Sequence, residues 1–287
     1  MGVVNITPDS FSDGGKFLEA DAAVAHALEL VAQGSEILDI GGESTRPNAE
    51  PVSEGEELRR VIPVITKLAE ILSPADPHVS PARLPVLLSI DTMKPAVARA
   101  ALQAGASIVN DVAAHRTDDA MWKIVAEFHA GYVCMHAPGS GTGSLPVELH
   151  PPTGPAGNLS HDKNIVREVR EFFLERLDKL NACGIASDQI VFDPGIGFGK
   201  TLEQNLSLLA GLRSFTNLPR PLLLGVSRKS FLGKISGAAV GNRLPASLAC
   251  ATLAVAAGTR IIRTHDGAET WQAVRMAEAI LQHAHVD

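Results

Sequence analysis

The stretch DPGIGFGKT at 193–201 sets a carboxylate, Asp193, at the end of an apolar run and follows it with three glycines, Gly195, Gly197 and Gly199. That combination suits a rim where an acid meets a ligand and the backbone must pass without a Cβ. Other apolar runs end in the same way. They lead into Asn5, Asp9 and Asp13; Glu43, Ser44, Thr45 and Arg46; Asp91; Asn110 and Asp111; Met135 and His136; Ser227, Arg228 and Lys229; and Arg263, His265 and Asp266. Asp193, Asp91, Asn110 and Lys229 offer acceptors and a donor suited to a flat heterocycle whose edge carries an amino-amidine and a carbonyl, because a carboxylate can take two adjacent N–H groups side by side. Arg263 can lay its guanidinium on a ring face while its charge meets an anion. An anion subsite would combine Arg263, His265 and Asn5, with Thr45 and Arg46 from a loop. Ordinary readings compete. Asp91, with Thr92 and Pro95 behind it, could cap the next helix, as could Asp193; Asn110 could bond its own loop; His265 could be a satisfied rim histidine; Arg46, Arg228 and Arg263 could be solvated charges.

Residues so far apart meet only if the chain brings one end of every strand together. Eight short apolar runs, at 1–6, 36–40, 86–90, 107–110, 132–135, 189–192, 221–224 and 260–262, alternate with helical patterns at 18–33, 54–72, 95–104, 120–129, 163–182, 202–209, 244–257 and 269–285. This repetition predicts a (β/α)8 TIM barrel, an α/β fold in one domain over 1–287, whose strand ends converge on one face. The alternative is an open doubly wound sheet with a flanking subdomain. Asn5-Ile6-Thr7-Pro8-Asp9 stands where a dinucleotide site would need GxGxxG, and there is no Walker lysine pattern, so neither nucleotide chemistry has support. Gly34, Gly105, Gly131, Gly184 and Gly258 are expected to be left-handed helix stops. The chain starts almost inside its first strand, which leaves two readings: a misassigned start, or a barrel with an open lower end. A Gly/Pro-rich stretch at about 138–160, with PGSGTG and HPPTGPAG, is expected to be a long inserted loop without catalytic groups.

The chain has 287 residues, 45% of them hydrophobic, enough for one large core. A formal charge of -7 argues against a nucleic-acid surface. Three scattered cysteines suggest neither a disulfide framework nor a zinc site, and the apolar runs stop short of membrane-spanning length. A soluble cytoplasmic protein is expected.

With these features together, the chain closely resembles the dihydropteroate synthase family. The matching segments are MGVVNITPDSFSDGG at 1–15, LDIGGESTRP at 38–47, SIDT at 89–92, NDV at 110–112, DPGIGFGK at 193–200, GVSRKSFLG at 225–233 and RTHD at 263–266. The resemblance implies a usually dimeric barrel that joins 4-aminobenzoate (p-aminobenzoate) to 6-hydroxymethyl-7,8-dihydropterin diphosphate, releasing diphosphate. It implies that Asp91, Asn110, Asp193 and Lys229 hold the pterin, with Val112, Met135, Phe198 and Gly225 around it. Arg263 would stack on the ring and grip the diphosphate with Asn5, Thr45 and His265, and Asn5 would ligate Mg²⁺. Phe11, Ser12 and Asp13 would lie on a first closing loop and Thr45, Arg46 and Pro47 on a second; Ser227 and Arg228 would flank the 4-aminobenzoate. The family usually has a short segment before the first strand and a shorter, more polar connection after MH. Two other readings are a pterin-binding methyltransferase domain and a catalytically silent homologue. Arg46, SRKS at 227–230 and RTHD supply anion handling that a methyl donor does not need, and the diphosphate residues are intact, against a silent homologue.

Overall fold

The computed structural model describes residues 1–6, 16–44, 50–73, 85–113, 118–137 and 165–283. The stretch at 138–160 and residues Asp9, Phe11, Ser12, Asp13, Thr45, Arg46 and Pro47 lie outside them. In chain order the elements are β1 (Gly2–Asn5), α1 (Lys16–Ala32), β2 (Ile37–Gly41), α2 (Glu54–Ile71), β3 (Leu87–Asp91), α3 (Pro95–Gln103), β4 (Ile108–Asp111), α4 (Ala120–Glu127), β5 (Gly131–Met135) and α5 (Ile165–Ala182). They continue with β6 (Ile190–Asp193), α6 (Leu202–Ala210), α7 (Leu212–Thr216), β7 (Leu223–Gly225), α8 (Ser230–Ser236), α9 (Leu244–Ala257), β8 (Ile261–Arg263) and α10 (Gly267–His283).

Local chemistry explains the helix starts. The Ser53 hydroxyl accepts from the Glu56 amide, and Glu54, Glu56 and Glu57 crowd the positive end of α2. Thr201 and Gln204 form a reciprocal capping box on α6. Pro95 opens α3, where its missing donor costs little.

The strands are parallel and mostly apolar, as strands covered on both faces must be. Strands β1 to β6 pair in sequence order and β7 pairs with β8. Two seams close the ring. The Phe192 amide donates to Pro221 O at 3.0 Å, joining β6 to β7, while Val3 donates to Thr264 O at 3.0 Å and Thr264 to Met1 O at 3.0 Å, joining β8 to β1. The barrel is therefore shut, with no free sheet edge among the described residues. Outside it, Phe173 of α5 stacks on Phe192 of β6 at 4.4 Å and meets Phe215 of α7 edge-on at 6.0 Å. Truncating such a ring to Ala costs about 3–5 kcal/mol. No helix among the described residues is long and apolar enough to cross a membrane.

The expected strands are all present, but most run one residue further, so that Asp91, Asp111, Asp193 and Arg263 are the last residues of strands and not the first of loops. Gly34, Gly105, Gly184 and Gly258 do take positive φ, whereas Gly131 opens β5 and the left-handed residue there is His129, at φ 51.

Candidate active site

Register decides which side chains share a layer. Asn5 pairs with Gly41, Gly41 with Asp91, and Asp91 with Asn110, so one rung across β1 to β4 points these residues to the same side. Gly41 leaves that layer open: a Cβ there would sit 3.5 Å from the Asp91 Cβ and 3.8 Å from Asn5 Oδ1. Two residues earlier on β2, hence on the same face one layer deeper, stands Asp39, wholly buried. Its Oδ1 accepts from Ser89 Oγ at 2.6 Å; its Oδ2 accepts from Asn110 Nδ2 at 2.9 Å and from Arg263 Nε at 2.6 Å. Arg263 reaches across from β8 and also donates Nη2 to Asp91 Oδ2 at 2.7 Å. These bonds join strands that are not neighbours, so they cross the barrel interior. Asp91 and Asn110 therefore neither cap a helix nor bond their own loops, and Arg263 is no solvated charge.

On the far side, Asp193 ends β6 opposite Met135 of β5 and is buried. Its Oδ1 accepts from the Gly195 amide at 2.8 Å, which begins the tight turn that follows. The Lys229 ammonium lies over the Phe198 ring at 3.7 Å. Val112, Met135 and Ala137 form a small apolar cluster with Met93 and Phe198, separate from the main core, and this is a wall for a ring. Among the described residues nothing donates to Asp91 Oδ1 or Asp193 Oδ2 and nothing accepts from Lys229 Nζ, so the cup keeps unspent acceptors and a donor. Gly225, paired with Arg263, leaves space beside that side chain, a Cβ there being 3.8 Å from the Arg263 Cβ.

Burial sets the electrostatics. It pushes the Asp91 carboxyl up to about 7, with Asp39 and Glu57 adding to the rise and Arg263 and Lys229 opposing it. It raises Asp193 too, against the Gly195 amide, Lys229, Lys200 and Arg263. Burial brings the Lys229 ammonium down to about 8, helped by Arg263. For Arg263 burial pulls the other way and is outweighed by Asp39 and Asp91, so its pKa rises and it keeps its charge.

At the rim, the Ser227 hydroxyl lies 3.0 Å from His265 Nδ1 and receives the His265 amide at 3.2 Å, which orients the imidazole. Arg228 sits at φ 60, an uncommon conformation for a side-chain-bearing residue, and its guanidinium pairs with Asp266. Its amide donates to Ser247 Oγ at 3.2 Å and its carbonyl accepts from Arg243 at 3.1 Å. These contacts hold the turn that delivers Lys229 to the cup.

Several expected members belong elsewhere. Asp111 faces outward, where the Tyr132 hydroxyl donates to it at 2.8 Å and the Trp122 indole donates to that hydroxyl at 3.0 Å. Glu43 accepts from the Val52 amide at 2.9 Å and from Lys94 at 2.7 Å, and Lys94 also pairs with buried Glu57; this group supports the base of the second loop. Two contributors escaped sequence reasoning. Asp39 could have been found as a lone charge inside the apolar run ILDIG, since a buried charge demands partners. Lys200, buried at the end of the glycine turn, donates to His136 O at 2.9 Å, Gly195 O at 2.8 Å and Phe198 O at 3.3 Å. No short motif announces that role.

Similarity to known proteins agrees with this geometry. A family model described as pterin binding enzyme matches residues 1–265. Dihydropteroate synthase of Escherichia coli strain K12 is 40% identical over 281 residues, covering 98% of this chain and 91% of that protein. The Xanthomonas albilineans dihydropteroate synthase solved with 4-aminobenzoic acid has a TM-score of 0.82 and 40% identity, covering 98% of this chain and 92% of that one. The same enzyme in complex with 7,8-dihydropteroate gives 0.79 and 38%, with the same two coverages.

Proposed function

The chain belongs to the pterin binding enzyme family, and from that premise and the cup we infer that it is a dihydropteroate synthase, condensing 6-hydroxymethyl-7,8-dihydropterin diphosphate with 4-aminobenzoate to give 7,8-dihydropteroate and diphosphate. The observation that carries this reading is the meeting of Asp91, Asn110, Asp193, Lys229 and Arg263 from distant strands around one apolar wall.

In this reading Asp193 takes the paired N–H groups of the pterin edge, Lys229 donates to the ring carbonyl, and Asp91 and Asn110 accept from the remaining ring nitrogens. Val112, Met135 and Phe198 pack the faces. Arg263 stacks on the ring and, with His265 and Asn5, meets the diphosphate; Ser227 and Arg228 flank the arylamine. The C–O bond to the diphosphate breaks early, and its electrons leave with the oxygen. Arg263 and His265 stabilise the charge gathering there, while Asp91 offsets the positive charge left on the ring. The arylamine nitrogen then attacks the methylene with its own lone pair and loses a proton. Water would otherwise trap the cation, so the reaction needs it excluded from the methylene.

Mg²⁺ is part of the proposal, and Asn5 would hold it. The Asn5 side-chain Oδ1 borders the space that Gly41 leaves open, and a magnesium ion that keeps waters and substrate phosphate oxygens needs few protein donors. When bound, the ion would neutralise charge on the departing diphosphate. A cytoplasmic location belongs to the same reading, supported by the free thiols Cys134, Cys183 and Cys250. So does a homodimer, supported by exposed apolar residues on α9 and α10.

Diphosphate release with purified protein, Mg²⁺ and both substrates is the deciding assay. Release should depend on 4-aminobenzoate; no release, or release at the same rate without the arylamine, would contradict the assignment.

A further inference from the structure

Asp39 cannot touch a substrate, because it is wholly buried beneath the layer that holds Asp91 and Asn110. Yet it bonds two of the groups that do. We propose that Asp39 is a positioning residue, which sets the orientation of the Asn110 amide and the Arg263 guanidinium and through them the shape of the pterin subsite. The inference rests on the dihydropteroate synthase reading.

Three donors converge on this side chain. Ser89 Oγ takes Oδ1, while Asn110 Nδ2 and Arg263 Nε share Oδ2. An amide can be turned over at little cost unless a neighbour distinguishes its two ends. Asp39 makes that distinction: the Asn110 NH₂ must point down to it, so the Asn110 oxygen stays on the pterin side as an acceptor. Reversal would set the Asn110 oxygen against the carboxylate oxygen of a wholly buried Asp39.

The guanidinium is fixed in a related way. Nε is committed to Asp39 and Nη2 to Asp91. Two bonds to two carboxylates on different strands define the plane of a rigid fork, so the face of Arg263 and its remaining nitrogen are aimed before any ligand arrives. Preorganised donors need no rearrangement as charge develops on the leaving group. The charged groups around Asp91 are Asp39 from β2, Arg263 from β8, Glu57 from α2 and Lys229 after β7. Asp39 is the member that tethers Arg263 without competing for the ligand.

The test compares Asp39→Ala with Asp39→Asn. Alanine removes every acceptor. Asparagine can still offer its oxygen to Asn110 and Arg263 while giving an N–H to Ser89 Oγ. Binding of 6-hydroxymethylpterin, followed by calorimetry, should weaken about tenfold or more in the alanine variant and only about threefold in the asparagine variant. The KM for the pterin diphosphate should rise in parallel, while the KM for 4-aminobenzoate stays within about twofold. Wild-type pterin affinity in Asp39→Ala, or equal rises in both KM values with Asp39→Asn as impaired as Asp39→Ala, would overturn the proposal. Should Asp39→Ala lack a cooperative melt, Ser89→Ala reads the same point. Combined with Asp39→Asn it leaves the new amide unoriented, and the pair should lose about fiftyfold or more in pterin affinity, beyond the roughly tenfold that two independent losses of about threefold would give; an additive or unchanged pair overturns the idea. Wild-type protein that binds the pterin but releases no diphosphate would sink the functional reading and leave Asp39 to be judged on binding. Wild-type protein that binds no pterin would sink both.

Discussion

Asp193 is a buried acid and Asp91 a partly buried one, and their partners divide their work. Asp193 has Oδ1 engaged by the Gly195 amide and Oδ2 available for the ring. Asp193→Asn keeps the shape but replaces one acceptor by a donor, so the paired contact to the pterin fails; binding should fall by roughly tenfold to a hundredfold, read by calorimetry with 6-hydroxymethylpterin. Unchanged affinity would remove the central assignment. Asp91 has a consequence for stability as well. Its carboxyl holds a proton up to about 7 in the folded barrel but only to the ordinary 3.8 once unfolded. The folded state therefore binds more protons between these values, and stability falls as pH rises through that window. Asp91→Asn mimics the protonated acid and escapes the loss. Its melting temperature relative to wild type should climb from about pH 4 to about pH 7 and then level off, by roughly 3 °C or more, while turnover drops. A difference that stays flat across this range would show that Arg263 compensates Asp91 fully.

The turn after β6 depends on backbone freedom at two places for two reasons. A Cβ at Gly195, φ 64, would lie 1.8 Å from the His136 carbonyl oxygen, inside the seam between β5 and β6 that Lys200 ties together. A Cβ at Gly197, φ 81, would lie 2.9 Å from Lys229 Cδ, the flexible stem of a ligand-facing side chain. Gly195→Ala should therefore fail to fold or melt far below wild type. Gly197→Ala should fold with a strain cost of roughly 1–3 kcal/mol and show its main defect as a raised KM for the pterin diphosphate. Circular dichroism melts and steady-state kinetics separate the two; a wild-type KM in Gly197→Ala would mean that Lys229 can move without cost. Elements of this kind were partly legible in the sequence. The three glycines and Asp193 were visible because a rim leaves a compositional mark, and the eight strands because a buried parallel sheet reads as apolar runs. Their last residues were not, since hydrophobic pattern stops where Asp91, Asp193 and Arg263 begin, although the ladder continues. Asp111 was misread for the same reason, period-two alternation turning it outward beside Asn110. Asp39 stayed hidden because its meaning comes from Arg263, 224 residues away.

At the scale of the molecule, the closed barrel gives each chain a complete set of described pterin residues, so association with a second chain answers to a different surface. The α9 sequence LPASLACATLAVAA contains no charge, and Pro245, Ala249, Leu253 and Ala256 form an exposed stripe at helical spacing. On the neighbouring α10, Met276 and Ile280 are also exposed; Leu253, Met276 and Ile280 are 70%, 62% and 59% accessible. Apolar side chains this open are a surface suited to a partner, and the proposed homodimer would place a second chain there. Replacing Leu253 and Met276 together by Lys places like charges face to face across a two-fold contact. Sedimentation equilibrium should then report one chain where wild type reports two. Activity should survive, because the α9 residue that steadies the Arg228 turn is Ser247, which is buried on a different side of the helix from Leu253. A double variant that still sediments as two chains would move the contact elsewhere; one that is monomeric and inactive would mean that the turn carrying Lys229 needs the partner's support.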